Sequence, residues 1–284
     1  MKSYLEISIT MSEGERELLI PAMVELGCGG FQETDTSLLC YFDQTGWNKG
    51  NHAAIESGLN KILETIHTNA AVQFREFSEE NWNEQWERTL RPVEVGERLV
   101  VKPTWCTYSG PSNRIIIEID PKMSFGTGYH ESTRLALRSL EQYLQPGMNV
   151  LDVGTGTGIL AIAAAKLGAS ASTGMDIDDW SIENATENVL RNKVQDLVAI
   201  SKSPLQQLTS RSFNLITANL TLNTIVDYLD EFGRLLTVNG VALLSGLLEQ
   251  DRDSMAQALD KKNFTVIDEL SENEWIGLVT RINA

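Results

Sequence analysis

Three short segments of this chain place glycines, hydroxyls and acids or amides at spacings that suit ligand binding. The strongest is Val150-Leu-Asp-Val-Gly-Thr-Gly-Thr-Gly158, an apolar strand that runs into glycines and then directly into a helix starting near Ile159. Gly154 and Gly156 let backbone approach a ligand where a Cβ would collide. The carboxyl end of the first strand of an open α/β sheet is where such sheets bind ligands. Asp176 follows Gly158 by 18 residues, at the expected end of the second strand, where a carboxylate can accept both ribose hydroxyls of an adenosine. A turn that only joined strand to helix would not need that acid, so loop and acid together imply an adenosine ligand.

The spacing narrows the choice of adenosine. A dinucleotide fingerprint reads G-x-G-x-x-G and leaves the helix N-terminus to a pyrophosphate. Here the glycines read G-x-G-x-G, and Asp152 stands two residues ahead of them. A carboxylate there would repel pyrophosphate and suit a ligand carrying a positive α-amino group. S-adenosylmethionine has one, plus a sulfonium. No G-x-x-x-x-G-K-[ST] phosphate loop occurs.

The second segment, Met123-Ser-Phe-Gly-Thr-Gly-Tyr-His-Glu-Ser-Thr133, precedes an amphipathic helix carrying Leu135, Leu140 and Leu144. Ser132 or Thr133 is expected to cap that helix, whose first amides and dipole would attract a carboxylate such as that of the cofactor's methionine part. A capping loop without ligand contact fits the pattern equally well. In the third segment, Phe213-Asn-Leu-Ile-Thr-Ala-Asn-Leu220, an apolar strand ends in Asn219 at the ligand cleft. Its carboxamide offers an amine a neutral acceptor. An asparagine that aids a turn or caps the next helix is the commoner fate of such a residue.

The elements that position these segments alternate strand and helix. Strands are expected at Asn149–Val153, Ala171–Met175, Leu197–Ser201, Phe213–Ala218 and Val241–Ser245, with helices at Ile159–Leu167 and Ser181–Asn192, the pattern of a doubly wound parallel sheet. Phe264–Asp268 and Trp275–Ile282 are joined by a connection too short for a helical crossover, so they should pair antiparallel. Ahead of this domain, Tyr4–Thr10, a helix opened by a Ser12/Glu15 capping box, strands near Phe31–Glu33 and Leu38–Phe42, a helix with Ile55, Leu59, Ile62 and Ile66 on one face, and Val72–Phe77 follow one another. That order, β-α-β-β-α-β, is the split βαβ of a small ferredoxin-like α+β domain. Pro21 should kink the first helix or delay its start. The expected boundaries are 1–77 for the small domain, 78–94 for a linker helix docked by Trp82 and Trp86, and 95–284 for the catalytic domain.

Composition excludes several classes. With 42% hydrophobic and 22% charged residues among 284, the chain can bury a sizeable core. No apolar run reaches the ~18 residues of a membrane span, and the first residues alternate as a strand does, so a cytoplasmic protein without a signal peptide is expected. Cys28, Cys40 and Cys106 form no metal-ligand spacing with His52, His67 and His130, and reduced thiols without a metal are expected. A net charge of −16 disfavours nucleic acid and permits a basic protein substrate.

MSFGTGYHESTRLAL, VLDVGTGTGILAIAAAKLGA, GMDID and NLITANL, in this order, closely resemble the bacterial PrmA family, which methylates the eleventh protein of the large ribosomal subunit. NWNEQWERTLRP, GVALLSGLLEQ and EWIGLVTR are also similar, so the likeness covers residues 78–284. Tyr129 stands where the family varies, and Glu131 where it often has proline. The resemblance implies an S-adenosylmethionine-dependent methyltransferase fold, a Rossmann-like doubly wound sheet with an antiparallel last strand. It implies an N-terminal domain that holds the ribosomal protein, and transfer to lysine side chains and an N-terminal amine. Carried over by motif, Thr133, Gly154, Asp176 and Asn219 would bind the cofactor or frame the amine site. The enzyme is expected to act as a monomer without nucleic-acid or membrane contact.

A sulfonium methyl is already electrophilic, so the residues need only align a neutral amine behind it. Asn219 would orient the amine without holding its proton on, as a carboxylate would. His130 serves either as a proton relay or, more simply, as a loop-positioning residue. Competing readings keep the cofactor but change the acceptor to a small molecule or another protein, make the chain a noncatalytic S-adenosylmethionine-binding adaptor, or make it a nicotinamide oxidoreductase.

Overall fold

The computed structural model describes residues 3–11, 13–34, 36–43, 49–65, 68, 70–78, 90–120 and 124–283. The expected Ser12 cap and the expected Trp82–Trp86 linker helix lie outside these residues. The chain divides into two compact units, Met1–Trp82 and Asn83–Ala284.

In the first unit β1 (Ser3–Thr10), α1 (Glu13–Glu25), β2 (Gly30–Glu33), β3 (Ser37–Asp43), α2 (Lys49–Thr65) and β4 (Ala71–Ser78) follow in order. The sheet order is β2-β3-β1-β4, and all three neighbouring pairs are antiparallel. Alternation along β1 buries Leu5, Ile7 and Ile9, which cluster with Leu19 and Met23 of α1 and Ile55, Leu59 and Leu63 of α2. Fully burying such a side chain contributes about 1.5–3 kcal/mol. Pro21 neither delays nor splits α1. It sits on the exposed side of the helix, where its missing N–H is least costly.

The second unit opens with a feature the sequence reading did not anticipate. β5 (Val93–Val95), β6 (Leu99–Lys102) and β7 (Ile115–Glu118) form a small sheet of their own. The β-branched runs Val100-Val101 and Ile115-Ile116-Ile117 are its signal. After α3 (Glu131–Tyr143) come β8 (Asn149–Val153), α4 (Ile159–Leu167), β9 (Ala171–Met175), α5 (Asp179–Arg191), β10 (Val198–Ser201), β11 (Phe213–Asn219), α6 (Leu222–Leu235), β12 (Leu236–Leu248), α7 (Arg252–Lys261), β13 (Phe264–Glu272) and β14 (Trp275–Ile282).

The seven strands from β8 onward form one sheet in the order β10-β9-β8-β11-β12-β14-β13. β8 through β12 pair in parallel, and β14 runs antiparallel to both β12 and β13. The closing hairpin turns more tightly than the expected connection between Asp268 and Trp275. The strands continue through Glu272 and resume at Trp275, because Asn273 adopts a left-handed φ of 52°. Helices on both faces bury the central strands, so Val150 to Val153 reads as a continuous buried run. α4, ILAIAAAKL, is buried on nearly every side, and its alanines allow the helix to lie close on the sheet. Chain order reverses between β8 and β11, so the carboxyl ends of β8, β9 and β11 converge on one crevice.

Candidate active site

β8 delivers the chain into the glycine loop with three left-handed turns, φ 71° at Gly154, 53° at Gly156 and 82° at Gly158, a backbone only glycine adopts without strain. Gly154 N and Thr155 N donate to Met175 O at 2.8 and 2.9 Å, which folds the loop over the end of β9. Asp176 fixes the same corner. Its carboxylate accepts from Gly156 N at 2.9 Å, Ile177 N at 2.8 Å and Asp178 N at 3.1 Å. The acid expected to meet a ribose therefore also anchors the loop, and it remains half-buried at the crevice.

Asp152 lies in a different layer from the one the sequence suggested. It is fully buried beneath the loop, and its two oxygens accept from Thr155 Oγ1 at 2.6 Å and Thr217 Oγ1 at 2.7 Å. Gly174, directly opposite Asp152 on β9, leaves the room that the Thr155 hydroxyl occupies. With both oxygens engaged, Asp152 braces the loop from below and does not line the crevice. Burial pushes its carboxyl up to about 6, against the lowering effect of the two hydroxyls. The sign follows from linkage. The native state holds this proton to higher pH than the unfolded chain, so this group's contribution to stability falls as pH rises through about 4 to 6. Asp152→Asn removes the titration, and its stability relative to wild type is expected to rise by about 1–2 kcal/mol between pH 5 and pH 7 in chemical denaturation. A pH-independent difference would contradict this account.

The second glycine segment is described from Ser124 onward. His130, not Ser132 or Thr133, caps α3, and its Nδ1 accepts from Ser132 N at 3.2 Å. Ser132 and Thr133 fall inside the first turn and are buried. The cap takes up one of the first-turn amides that the sequence reading offered to a carboxylate ligand. The His130 ring meets Trp275 edge-on at 4.5 Å and Phe125 at 5.4 Å between centroids. The departures at Tyr129 and Glu131 are both tied down. Tyr129 OH donates to Arg91 O, and Tyr129 O accepts from Arg134, which also pairs with Glu272 at 2.5 Å. Glu131 accepts from Asn273 at 3.1 Å.

Asn219 closes β11 at the crevice. Its Nδ2 donates to Thr133 Oγ1 at 3.3 Å, which orients the carboxamide with Oδ1 toward Gly246. A Cβ on Gly246 would lie 3.0 Å from that oxygen, and the residue's φ of 82° independently favours glycine. Gly246 falls where the β12–β14 register shifts between Leu244 and Leu247, so a bulge in β12 makes the space in front of Asn219.

These residues surround a cavity of 560 Å³, within the range of small-molecule sites. Gly154, Gly156, Asp176 and Asn219 line it, as the sequence placed them, whereas Thr133 and Asp152 support it from behind. Ile177, Leu220, Tyr228, Trp275 and Gly246 also line it and were not anticipated. Ile177 and Trp275 directly follow Asp176 and the hairpin turn, but an apolar side chain at a loop gives no spacing signal of its own. Among the described lining residues Asp176 is the one carboxylate, and there is neither lysine nor arginine. A pyrophosphate would find no cation here. A cationic adenosine such as S-adenosylmethionine fits the acid, the bare glycine backbone and the apolar walls.

A family model described as Ribosomal protein L11 methyltransferase (PrmA) matches residues 3–283. The chain is similar to the Ribosomal protein L11 methyltransferase of Bacillus cereus (strain B4264), 33% identical over 273 residues that cover 94% of this chain and 86% of the relative. It is similar to the protein of that name from Caldanaerobacter subterraneus subsp. tengcongensis, 31% identical over 306 residues and 98% of each chain. The crystal structure of ribosomal protein L11 methylase from Lactobacillus delbrueckii subsp. bulgaricus superposes with a TM-score of 0.64 at 32% identity, covering 68% of this chain and all of that one.

Proposed function

The chain belongs to the ribosomal protein L11 methyltransferase (PrmA) family, and from that premise we propose that it transfers methyl groups from S-adenosylmethionine to lysine side-chain and N-terminal amines of the eleventh large-subunit ribosomal protein. The observation that carries the chemistry is a carboxamide, that of Asn219, in the wall of a cavity where Asp176, read as the ribose partner, is the one carboxylate among the described lining residues. Bound there, S-adenosylmethionine supplies an electrophilic methyl for in-line displacement by an amine nitrogen.

The residues have separate tasks. Asp176 takes the ribose hydroxyls, and Gly154 and Gly156 present bare backbone to the rest of the cofactor. Asp152, one layer below, adds negative potential under a cationic ligand. Asn219 Oδ1 accepts from the incoming amine, and Thr133 holds the carboxamide in that orientation. A lysine with a reference pKa near 10.4 must arrive neutral. The apolar surfaces of Phe125, Tyr228 and Trp275 exclude water and favour the uncharged amine. His130, with Nδ1 committed to the α3 cap, positions the loop. The first unit is read as the part that grips the acceptor protein, and a net charge of −16 suits a basic one. With such a substrate, the proposed reaction belongs to the cytoplasm. Among the described residues no helix is long and apolar enough to cross a membrane.

Labelled S-adenosylmethionine and the full chain, incubated with free ribosomal proteins from methylation-deficient cells, provide the test. Label is expected on the eleventh large-subunit protein. Label on another protein, or only on small molecules, would overturn the acceptor while leaving the cofactor in place.

A further inference from the structure

Two glycine segments far apart in sequence meet backbone to backbone beside the cavity, and Thr157 links them. Thr157 is fully buried. Its N–H donates to Phe125 O at 2.9 Å and its hydroxyl donates to Gly126 O at 2.5 Å. Its own carbonyl accepts from Asn188 Nδ2 at 3.0 Å, which ties the junction to α5. The fit leaves no space for side chains. A Cβ on Gly156 would run into the Phe125 carbonyl oxygen, and one on Gly126, whose φ is 100°, would lie 2.9 Å from Thr157 Oγ1.

Both segments line the cavity, and the proposed function gives them different tasks. Gly156 is held by Asp176 on the adenosine side. Phe125 and His130 line the cavity and cluster with Trp275, the wall read above as facing the incoming amine. Between the described residues of the two segments, the hydrogen bonds Thr157 N to Phe125 O and Thr157 Oγ1 to Gly126 O both start from Thr157. Phe125 itself is 55% exposed, so few packing contacts hold its position and the backbone bonds to Thr157 carry more of that task.

We propose that Thr157 is a positioning residue that couples cofactor occupancy at the glycine loop to the placement of the Ser124–His130 segment against the incoming amine. This rests on the cofactor reading above and goes beyond it by assigning a role to a residue that does not line the cavity. When the cofactor fixes the glycine loop, the Thr157 amide and hydroxyl fix Phe125 and Gly126 in turn, and the acceptor wall forms. Without the hydroxyl the buried Gly126 carbonyl loses its donor, which favours local opening of the segment.

The test combines hydrogen exchange with kinetics on the full chain, using S-adenosylhomocysteine as the bound probe. In wild type, the probe is expected to slow exchange at residues 154–158 and also at 124–130. In Thr157→Val the slowing at 154–158 persists and the affinity stays within about threefold. The slowing at 124–130 falls about tenfold, and kcat falls about tenfold with KM for S-adenosylmethionine unchanged. Thr157→Ser restores both, and Gly126→Ala, approached from the other segment, reproduces the valine phenotype. Unchanged exchange and kcat in Thr157→Val would overturn the coupling. So would failure of serine to restore them, or a loss of probe binding by Thr157→Val that matches its loss of activity. If wild type binds the probe but labels no ribosomal protein, the acceptor assignment fails, and the exchange comparison still decides the coupling. If wild type does not bind the probe, the cofactor reading fails and the coupling with it.

Discussion

Asp176→Ala is expected to weaken S-adenosylhomocysteine binding by about a hundredfold or more. In the proposed site the carboxylate would meet the ribose, and it accepts from three backbone N–H groups, one of them Gly156 of the glycine loop. Hydrogen bonds to a charged group are worth about 1.5–3 kcal/mol each, and a hundredfold corresponds to about 2.7 kcal/mol. Asp176→Asn keeps one carbonyl oxygen and should lose roughly tenfold. Calorimetric titration measures both. An alanine variant with wild-type affinity would remove Asp176 from the cofactor site.

Asn219→Ala should behave in the opposite way. Cofactor affinity is expected to stay within about threefold, while kcat falls on the order of 10²- to 10³-fold, the range seen when an oriented polar group at a reacting centre is removed. Asn219→Asp gives a sharper test. A carboxylate beside the amine stabilises its protonated form, so the amine pKa rises and the ascending limb of the pH–rate profile moves to higher pH. An unshifted limb would mean that the side chain at this position does not face the amine.

The sequence carried the fold through periodicity. The strand-helix alternation after Asn149, the short link before Trp275 and the glycine loop are each local patterns, and together with the family resemblance they pointed to the sheet with its reversed last strand. That Gly154, Gly156 and Asp176 would stand at the crevice was legible for the same reason, since they follow the carboxyl ends of β8 and β9, whereas Asn219 was singled out only together with the family resemblance. The place of Asp152 was not legible. Its acidity was visible, but its depth depends on Thr217 of β11, 65 residues away, and on the space left by Gly174. The α3 cap shifted from a hydroxyl to His130 because an imidazole nitrogen accepts an amide hydrogen as a hydroxyl oxygen does, and the edge-on contact with Trp275 holds the ring in place. Gly246 was invisible for want of any local motif. Its role depends on a bulge set by pairing with β14.

Nitrogen methylation at an amine that Asn219 orients is the central claim. Fragment-ion mass spectrometry of the purified eleventh large-subunit protein, after incubation with S-adenosylmethionine and the wild-type chain, Asp176→Ala or Asn219→Ala, tests it most directly. Wild type is expected to add methyl groups at lysine and N-terminal nitrogens. Both variants should lose them, and Asn219→Ala should still bind S-adenosylhomocysteine. Methyl groups on other atoms, or unchanged transfer by Asn219→Ala, would contradict the account.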